Sequence, residues 1–378
     1  MIKISFVGDI CLDKKSLSLI DNQDYSMLFG DSYNCLIESD FRIGNLECPI
    51  TLSTSPIKKL GPNLKTKPEA ASALRYAGFD LLCLANNHIL DYGEEGIIDT
   101  LKYSSLNNIN TIGVGKNIFE ARKPFYRIIK DKTFGFINAC EIEFSIADKD
   151  SYGANPIDII NLYYDIIEAK TKSDYLVLIL HGNNEYYNLP NPSFRKQCMF
   201  FIDLGVNAII CHHSHSIGPV EVYKNAPIFY GLGNFIFPRD GKPTSWNIGL
   251  IVQIEFDNEN IGWKIIPFRQ NESNISIELL HDKDKVDVLE RVNQFLGIGE
   301  IDNFLESKWL DFILSKERMY YGFLFGFSRI EKYLFRFRKL RFIFYSKSRL
   351  YKLYDIIACD SHRNSLLRIL EKEIVKPK

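Results

Sequence analysis

The chain has 378 residues, with 46 lysines and arginines against 47 aspartates and glutamates, and a formal net charge of −1. Hydrophobic residues make up 46% of the chain and charged residues 25%, which excludes a disordered or low-complexity scaffold. No run approaches the ~18 uncharged apolar residues of a transmembrane helix, and residues 2–9 indicate a strand rather than a signal peptide. Because the eight cysteines form no CxxC pair, we expect reduced thiols in a cytoplasmic protein.

Charge is distributed unevenly along the chain. Residues 281–378 contain 20 lysines and arginines against 14 acidic residues, so an acidic body precedes a basic tail. Strand-like patterns also stop near residue 280, and the rest of the chain has a helical pattern. We therefore predict a main domain over residues 1–280 and a basic, aromatic-rich helical extension over residues 281–378.

Strand-like apolar runs alternate with helical patterns in the first part. The runs typical of buried strands cover residues 3–9, 41–47, 80–88, 175–185 and 207–215. The helical patterns between them cover residues 67–78, 92–108, 158–170 and 191–205. Antiparallel hairpins are predicted over residues 125–139, 220–237 and 249–268. This order predicts an α/β fold with mixed sheets.

Each strand-like run ends in polar residues of one kind. Carboxylate, amide and imidazole groups stand at these ends: Asp9, Asn45, Glu47, Asn87, His88, His181, His213 and His215. Reactive groups gather beyond the carboxyl ends of strands in open α/β sheets, and this donor set suits Mn, Fe or Zn. The pattern predicts one or two divalent metal ions that activate water for phosphoester hydrolysis. The alternative is that these polar groups only cap buried strands.

Seven sequence motifs follow one another within residues 1–240. They are FVGDICL (6–12), GNLECPIT (44–51), LANNHILDYGEEGIIDT (84–100), GVGKN (113–117), HGNNEY (181–186), HHSHSIGPVEVY (212–223) and IFYGLGNFIFP (228–238). Their order resembles the CapA family, also called bacterial capsule synthesis or poly-γ-glutamate capsule proteins. That family is similar in fold to calcineurin-like metallophosphatases, which implies a sandwich of two mixed β-sheets flanked by helices.

The resemblance implies a role for each polar residue. The implied metal ligands are Asp9 and His215 for a first ion, Asn87, His181 and His213 for a second, and Glu47, with Asn45 beside it, at the bridging position. His88 would act on the substrate phosphate as a proton donor or charge stabiliser, and Asp91 would orient it. The implied substrate-binding residues are Glu185, Tyr186, His212 and Asn234, although Asn234 alternatively supports neighbouring buried groups.

The activity that the resemblance implies is metal-dependent hydrolysis in the synthesis of a capsule or other surface polymer, with a polymer or its precursor as partner. Cys11 stands where metallophosphatases usually have a histidine, which puts the first metal ion in doubt. This departure favours the alternative, a non-catalytic accessory or polymer-binding subunit of a polymer synthase or export complex. No nucleic-acid recognition motif is present.

Residues 316–352 form the most unusual segment of the chain. They contain eleven lysines and arginines, two glutamates and twelve tyrosines or phenylalanines. A basic amphipathic helix with aromatic residues on its other face binds anionic membrane surfaces, which would place the protein peripherally at the inner membrane face. The alternative is that the aromatic residues pack on the main domain.

Overall fold

The computed structural model of the protein describes residues 1–13, 15–257, 260–296, 301–325 and 347–375. The chain forms two compact units, Met1–Glu306 and Ser307–Lys378, and each is described by itself. The predicted domain division at residue 280 stays a prediction. Among the described helices, none is both long enough and apolar enough to cross a membrane.

The first sheet is built around the first strand of the chain. Its strands within the described residues are β1 (Ile2–Ile10), β2 (Phe41–Leu46), β3 (Leu81–Cys83), β4 (Asn110–Ile112), β13 (Asn234–Ile236), β14 (Ile248–Phe256), β15 (Ile261–Gln270) and β16 (Ile277–Leu279). They lie in the order β16-β15-β14-β1-β2-β3-β4, and β13 pairs with the end of β1. β1, β2, β3, β4 and β13 pair in parallel, whereas β14, β15 and β16 form antiparallel ladders.

The second sheet is also mixed. Its strands within the described residues are β6 (Phe125–Ile129), β7 (Lys132–Cys140), β9 (Tyr175–His181), β10 (Ala208–His212), β11 (Val220–Tyr223) and β12 (Ala226–Phe229). They lie in the order β11-β12-β10-β9-β7-β6, with β7, β9, β10 and β12 parallel and the two edge strands antiparallel. A short ladder joins β5 (Val114–Gly115) to β8 (Gly153–Ala154).

The hairpins predicted over residues 125–139 and 249–268 are present, whereas the one predicted over residues 220–237 ends at Phe229, because residues 234–236 form β13 of the first sheet. β6 and β7 are connected at Lys130 and Asp131, whose φ angles are 46° and 69°. β11 and β12 are connected at Lys224 and Asn225, with φ angles of 47° and 65°. Two consecutive residues with positive φ are the mark of the two-residue turns that match strand twist. β14 and β15 form the third hairpin, whose turn residues 258 and 259 lie outside the described residues.

Helices flank both sheets and continue into the second unit. Their bounds are α1 (Lys15–Asp21), α2 (Tyr25–Phe29), α3 (Ser32–Ile37), α4 (Glu69–Tyr76), α5 (Gly93–Leu106), α6 (Ile118–Ala121), α7 (Ile159–Lys170), α8 (Pro192–Asp203), α9 (Asp282–Val292), α10 (Ile301–Phe325), α11 (Lys347–Ala358) and α12 (Asp360–Val375). α4, α5, α7 and α8 confirm the four predicted helical segments. Gly78 and Gly205 follow α4 and α8 with φ angles of 84° and 104°, a conformation that favours glycine.

The predicted strand over residues 80–88 is too long. β3 ends at Cys83, and the chain then leaves the sheet. Asn86 explains this departure, because its Nδ2 donates to the Leu46 carbonyl at 2.8 Å and its Oδ1 accepts the backbone N–H of His88 at 3.1 Å. Asparagine side chains that bond to backbone in this way compete with strand pairing. His88 therefore lies on a turn.

An apolar layer joins the two sheets face to face. Its members come from both sheets and include Ile4, Phe6, Ile43, Phe134, Phe136, Val177, Ile179, Ile210 and Phe256. A second apolar cluster covers the other face of the first sheet, where Leu28, Leu74 and Ile97 of α2, α4 and α5 are buried. The predicted fold class, a sandwich of two mixed sheets flanked by helices with a helical extension, is confirmed.

Phe134 gives a test of this layer. Its ring is fully buried on β7 and lies 5.1 Å from the Tyr175 ring and 5.0 Å from the Phe256 ring, centroid to centroid. Phe134→Ala should lower the free energy of unfolding by about 3–5 kcal/mol in urea titrations, since it removes apolar contacts and leaves a cavity. Ile128 on β6 is 70% exposed, so Ile128→Ala should change it by less than about 0.5 kcal/mol. Equal effects would contradict the assignment of this layer.

Candidate metal centre

The polar ends of strands from both sheets meet at one place. Asp9 lies near the end of β1 and is paired in register with Asn45 of β2. Across the sandwich, His181 ends β9 and is paired in register with His212 at the end of β10. Because each of these strands is parallel to its partner, their carboxyl ends lie at the same edge of each sheet. The site is therefore built by two sheets together.

Two groups of buried side chains there have the composition and spacing of metal ligands. The first group is Asp9, Glu47 and His215, and the second group is Glu47, His181 and His213. Within each group the ligand atoms lie within 4.8 Å of one another. Glu47 belongs to both groups, which is the arrangement expected of a carboxylate that bridges two ions.

Glu47 provides the test of whether the residues fit a cation. Both of its side-chain oxygens are buried and have no hydrogen-bond partner among the residues that the structure describes. Its Oε1 lies 3.7 Å from His181 Nε2 and 3.5 Å from His215 Nε2. Burial, followed by the neighbouring charge of Asp9, raises the pKa of Glu47 well above its ordinary value. A divalent cation would favour the carboxylate form, so the residues fit this group.

Asp9 is held by three side chains. Asn45 Nδ2 donates to its Oδ1 at 2.8 Å, while His212 Nδ1 lies 3.2 Å from Oδ1 and His215 Nδ1 lies 3.3 Å from Oδ2. Burial raises the pKa of Asp9, but the bonds to the two histidines outweigh it and lower the pKa well below its ordinary value. His212, predicted to bind substrate, is buried against Asp9.

Asn87, the predicted amide ligand, lies beside the second group. Asn87 Oδ1 lies 3.2 Å from His181 Nε2, and His213 Nδ1 lies 3.0 Å from the same nitrogen. Burial, with the charge of His213, lowers the pKa of His181 well below its ordinary value, so its imidazole is neutral and can bind a metal. Glu47 and the six other residues that the sequence predicts as ligands thus lie together.

Two of these histidines have strained backbones. His213 has a φ angle of 88° and His215 one of 53°, in the left-handed region that non-glycine residues rarely adopt. His215 Nδ1 also lies 2.9 Å from Asn234 Oδ1, and Asn234 Nδ2 donates to the Trp246 carbonyl at 2.9 Å. Asn234 therefore contacts both His215 and the backbone, and its role in substrate binding stays a prediction. Such strain persists where the surrounding structure dictates it.

His88 and Asp91 form a buried pair beside the ligands. His88 Nδ1 lies 2.7 Å from Asp91 Oδ2, which also accepts the backbone N–H of Leu64 at 2.6 Å. Lys59 forms an ion pair with Asp91, and its Nζ lies 3.0 Å from His88 Nδ1. The side chain of Lys59 is only 3% exposed. Sequence reasoning missed Lys59, because nothing in the local pattern separates it from an ordinary surface lysine.

Two aromatic side chains, with a lysine packed against both rings, form one border of the site. Tyr186 is 46% exposed, and its ring lies 6.1 Å from the His215 ring and 6.2 Å from the Trp246 ring. Lys242 Nζ lies 4.6 Å and 4.7 Å from the centroids of the Tyr186 and Trp246 rings, and donates to the Tyr186 hydroxyl at 2.8 Å. Glu185, also predicted to bind substrate, is half-buried next to Tyr186.

Comparison with known proteins identifies the family. The family model described as Bacterial capsule synthesis protein PGA_cap matches residues 3–239. The chain belongs to this family. The PGA biosynthesis protein CapA of Bacillus subtilis (strain 168) is 32% identical over 246 residues, which cover 63% of this chain and 64% of the relative. The capsule biosynthesis protein CapA of Bacillus anthracis is 31% identical over 246 residues, covering 62% and 60%. The chain thus spans less than two thirds of these relatives.

Solved structures show weaker similarity. A novel phosphatase from Mycoplasma pneumoniae is 14% identical with a TM-score of 0.49, over 72% of this chain and 95% of that chain. A 5'-nucleotidase from Candida albicans SC5314 is 10% identical with a TM-score of 0.40, over 72% of this chain and 53% of that chain. The membership of the PGA_cap family rests on the family model.

Cys11 directly follows β1, two residues after the proposed ligand Asp9. Its side chain is fully buried, and Arg239 Nη2 lies 4.0 Å from its Sγ. Burial, followed by the neighbouring Cys48 thiol, raises the pKa of Cys11 well above its ordinary value. Burial therefore favours the neutral thiol as long as no cation is bound. Cys11 belongs to neither of the two groups of side chains with the spacing of metal ligands.

The two ligand histidines of the second group can be tested by metal content. His181→Ala and His213→Ala should each lower the amount of Mn²⁺ or Zn²⁺ that remains bound after dialysis, because each removes one donor from a buried group. His362→Ala, which changes a half-exposed histidine on α12, should leave metal content unchanged. The ligand assignment is wrong if both site variants retain the wild-type amount of metal, as measured by atomic emission.

Proposed function

We propose that this protein is a metal-dependent hydrolase that cleaves a phosphoester or similar bond during the synthesis of a capsule or other surface polymer. Membership of the PGA_cap family supports the link to capsule synthesis. The observation that carries the hydrolase proposal is the pair of ligand groups that share Glu47. The side-chain oxygens of Glu47 have no hydrogen-bond partner among the described residues. A carboxylate shared by two groups of ligands is compatible with two-metal hydrolysis.

The chemistry that divalent cations supply when bound here is the activation of a water molecule and the neutralisation of charge on the attacked group. Asp9, Glu47 and His215 would hold one cation, and Glu47, Asn87, His181 and His213 the other. His88 then transfers a proton to the leaving oxygen or stabilises its charge. Because Asp91 engages Nδ1 of His88, Nε2 is the nitrogen that meets the substrate.

The test combines metal analysis with a generic assay. The purified full chain should contain divalent metal and hydrolyse an aryl phosphate in the presence of Mn²⁺, and a chelator should abolish turnover. The competing proposal is a non-catalytic accessory or polymer-binding subunit, which is favoured by Cys11 standing in place of an imidazole and outside the first group. A protein that binds metal but shows no turnover on phosphomonoesters, phosphodiesters and polymer substrates would support the accessory role.

His88 separates chemistry from metal binding. His88→Ala should retain the wild-type metal content, because its Nδ1 contacts Asp91 and Lys59 and none of the proposed ligands. Turnover should fall by about 10²–10⁴, the usual contribution of a positioned acid or base. Metal content and kcat measured on the same preparation decide this. Loss of metal in the variant would mean that His88, and not Asn87 alone, supports the ligand group.

We also propose that the basic segment 316–352 attaches the protein to an anionic membrane surface at the inner membrane face. Residues 326–346 of this segment lie outside the described residues, so the proposal is supported by its composition. On α11, which begins at Lys347, the side chains of Tyr351 and Tyr354 are 72% and 73% exposed. Each lysine or arginine near such a surface contributes about 1 kcal/mol, so a few suffice for reversible binding.

Liposome sedimentation tests the attachment. The full chain should sediment with vesicles containing anionic lipid at low salt and be released by about 0.5 M salt, because salt screens these charges. Neutral vesicles serve as the control. Removal of residues 316–378 should abolish sedimentation. If the full chain does not sediment with anionic vesicles at low salt, the membrane proposal is wrong. Packing on the main domain is then the role of the aromatic residues.

A further inference from the structure

Glu141 lies directly beside the candidate metal centre, and neither the sequence patterns nor the proposed reaction uses it. It follows β7, whose last residue Cys140 is paired in register with His181 of β9. The backbone N–H of Glu141 donates to the His181 carbonyl at 2.9 Å. One proposed ligand therefore fixes the main chain of Glu141, and the side chain is placed next to the other histidine of the same group.

The Glu141 carboxylate contacts a buried imidazole at short range. Its Oε1 lies 2.6 Å from Nε2 of His213, whose side chain is only 2% exposed. The other ring nitrogen, Nδ1, lies 3.0 Å from His181 Nε2, within the ligand group. The two nitrogens of an imidazole point in different directions, so a ring held at Nε2 presents Nδ1 to its other neighbours. His213 thus contacts the Glu141 carboxylate through Nε2 and the ligand group through Nδ1.

We infer that Glu141 is a positioning residue that accepts a hydrogen bond from Nε2–H of His213 and so makes Nδ1 the metal-binding nitrogen. This inference rests on the proposed metal centre. Carboxylates that bond the second nitrogen of a metal-bound imidazole fix its tautomer and raise its basicity, and their loss commonly weakens metal binding by 10–100-fold. Glu141 is 32% exposed on its side chain and lies at the rim, so it acts through His213.

A double-mutant cycle on metal affinity tests this role. The Kd for Mn²⁺ of the full chain is measured by competition with a chromophoric chelator for the wild type, Glu141→Ala, His213→Ala and the double variant. Glu141→Ala alone should raise the Kd by about 10–100-fold. In the His213→Ala background it should change the Kd by less than about twofold, because the group through which Glu141 acts is gone. A general structural support would weaken binding equally in both backgrounds.

Two further variants keep the test interpretable. Glu141→Gln retains an oxygen that accepts from Nε2–H but loses the charge, so its Kd should lie between those of the wild type and Glu141→Ala. Glu168→Gln, which changes a 67% exposed carboxylate on α7, should leave the Kd unchanged. An unchanged Kd in Glu141→Ala, or equal losses in both backgrounds, overturns the positioning role alone. A wild type that binds neither Mn²⁺ nor Zn²⁺ nor Fe²⁺ overturns the proposed metal centre itself.

Discussion

The buried carboxylate of Glu47 is the constraint around which the site is arranged. Its two oxygens are removed from water and have no hydrogen-bond partner among the described residues, and Asp9 adds a second carboxylate nearby. The effective penalty for an unpaired buried ion is several kcal/mol, so this arrangement needs a compensating positive charge. The imidazole of His181 supplies little positive charge, because burial lowers its pKa. At His213 burial also lowers the pKa, but the hydrogen bond with Glu141 outweighs it and raises the pKa to about 9. A divalent cation satisfies this need.

The two ligand groups around Glu47 differ in their donors. The first combines the carboxylates of Asp9 and Glu47 with one imidazole, whereas the second combines Glu47 with two imidazoles and the nearby amide of Asn87. Carboxylate-rich sets suit harder ions such as Mn²⁺, and imidazole-rich sets suit ions such as Zn²⁺ and Fe. Cys11 belongs to neither group, so the second group, with Asn87 beside it, has the larger set of candidate donors.

The sandwich explains how such a site keeps its shape. Each ligand lies at or just beyond the end of a strand whose apolar residues are packed between two sheets or beneath helices, so the backbone has little freedom. Around the ligands, supporting side chains direct individual ring nitrogens, as Asn234 does for His215. The positive φ angles of His213 and His215 are tolerated because these contacts dictate the local conformation.

Local signals in the sequence determined much of this protein. Apolar runs, glycine stops and turn residues identified the main strands, α4, α5, α7, α8 and the hairpins, because these depend on neighbours along the chain. The polar residues at strand ends were found for the same reason, since a buried run that stops at carboxylate and imidazole groups is visible without coordinates. The short helices α1, α2 and α3 gave no comparable periodicity.

Tertiary structure alone decided how those residues meet. Lys59 reaches Asp91 from a connection without regular structure, and Glu141 reaches His213 from the end of another strand. The side chain of Asn86 bends the chain after β3, which moves His88 onto a turn. These contacts join residues that are far apart in sequence or depend on one side-chain rotamer. No periodicity or spacing encodes such contacts, because each depends on how neighbouring connections at the end of a folded sheet place their side chains.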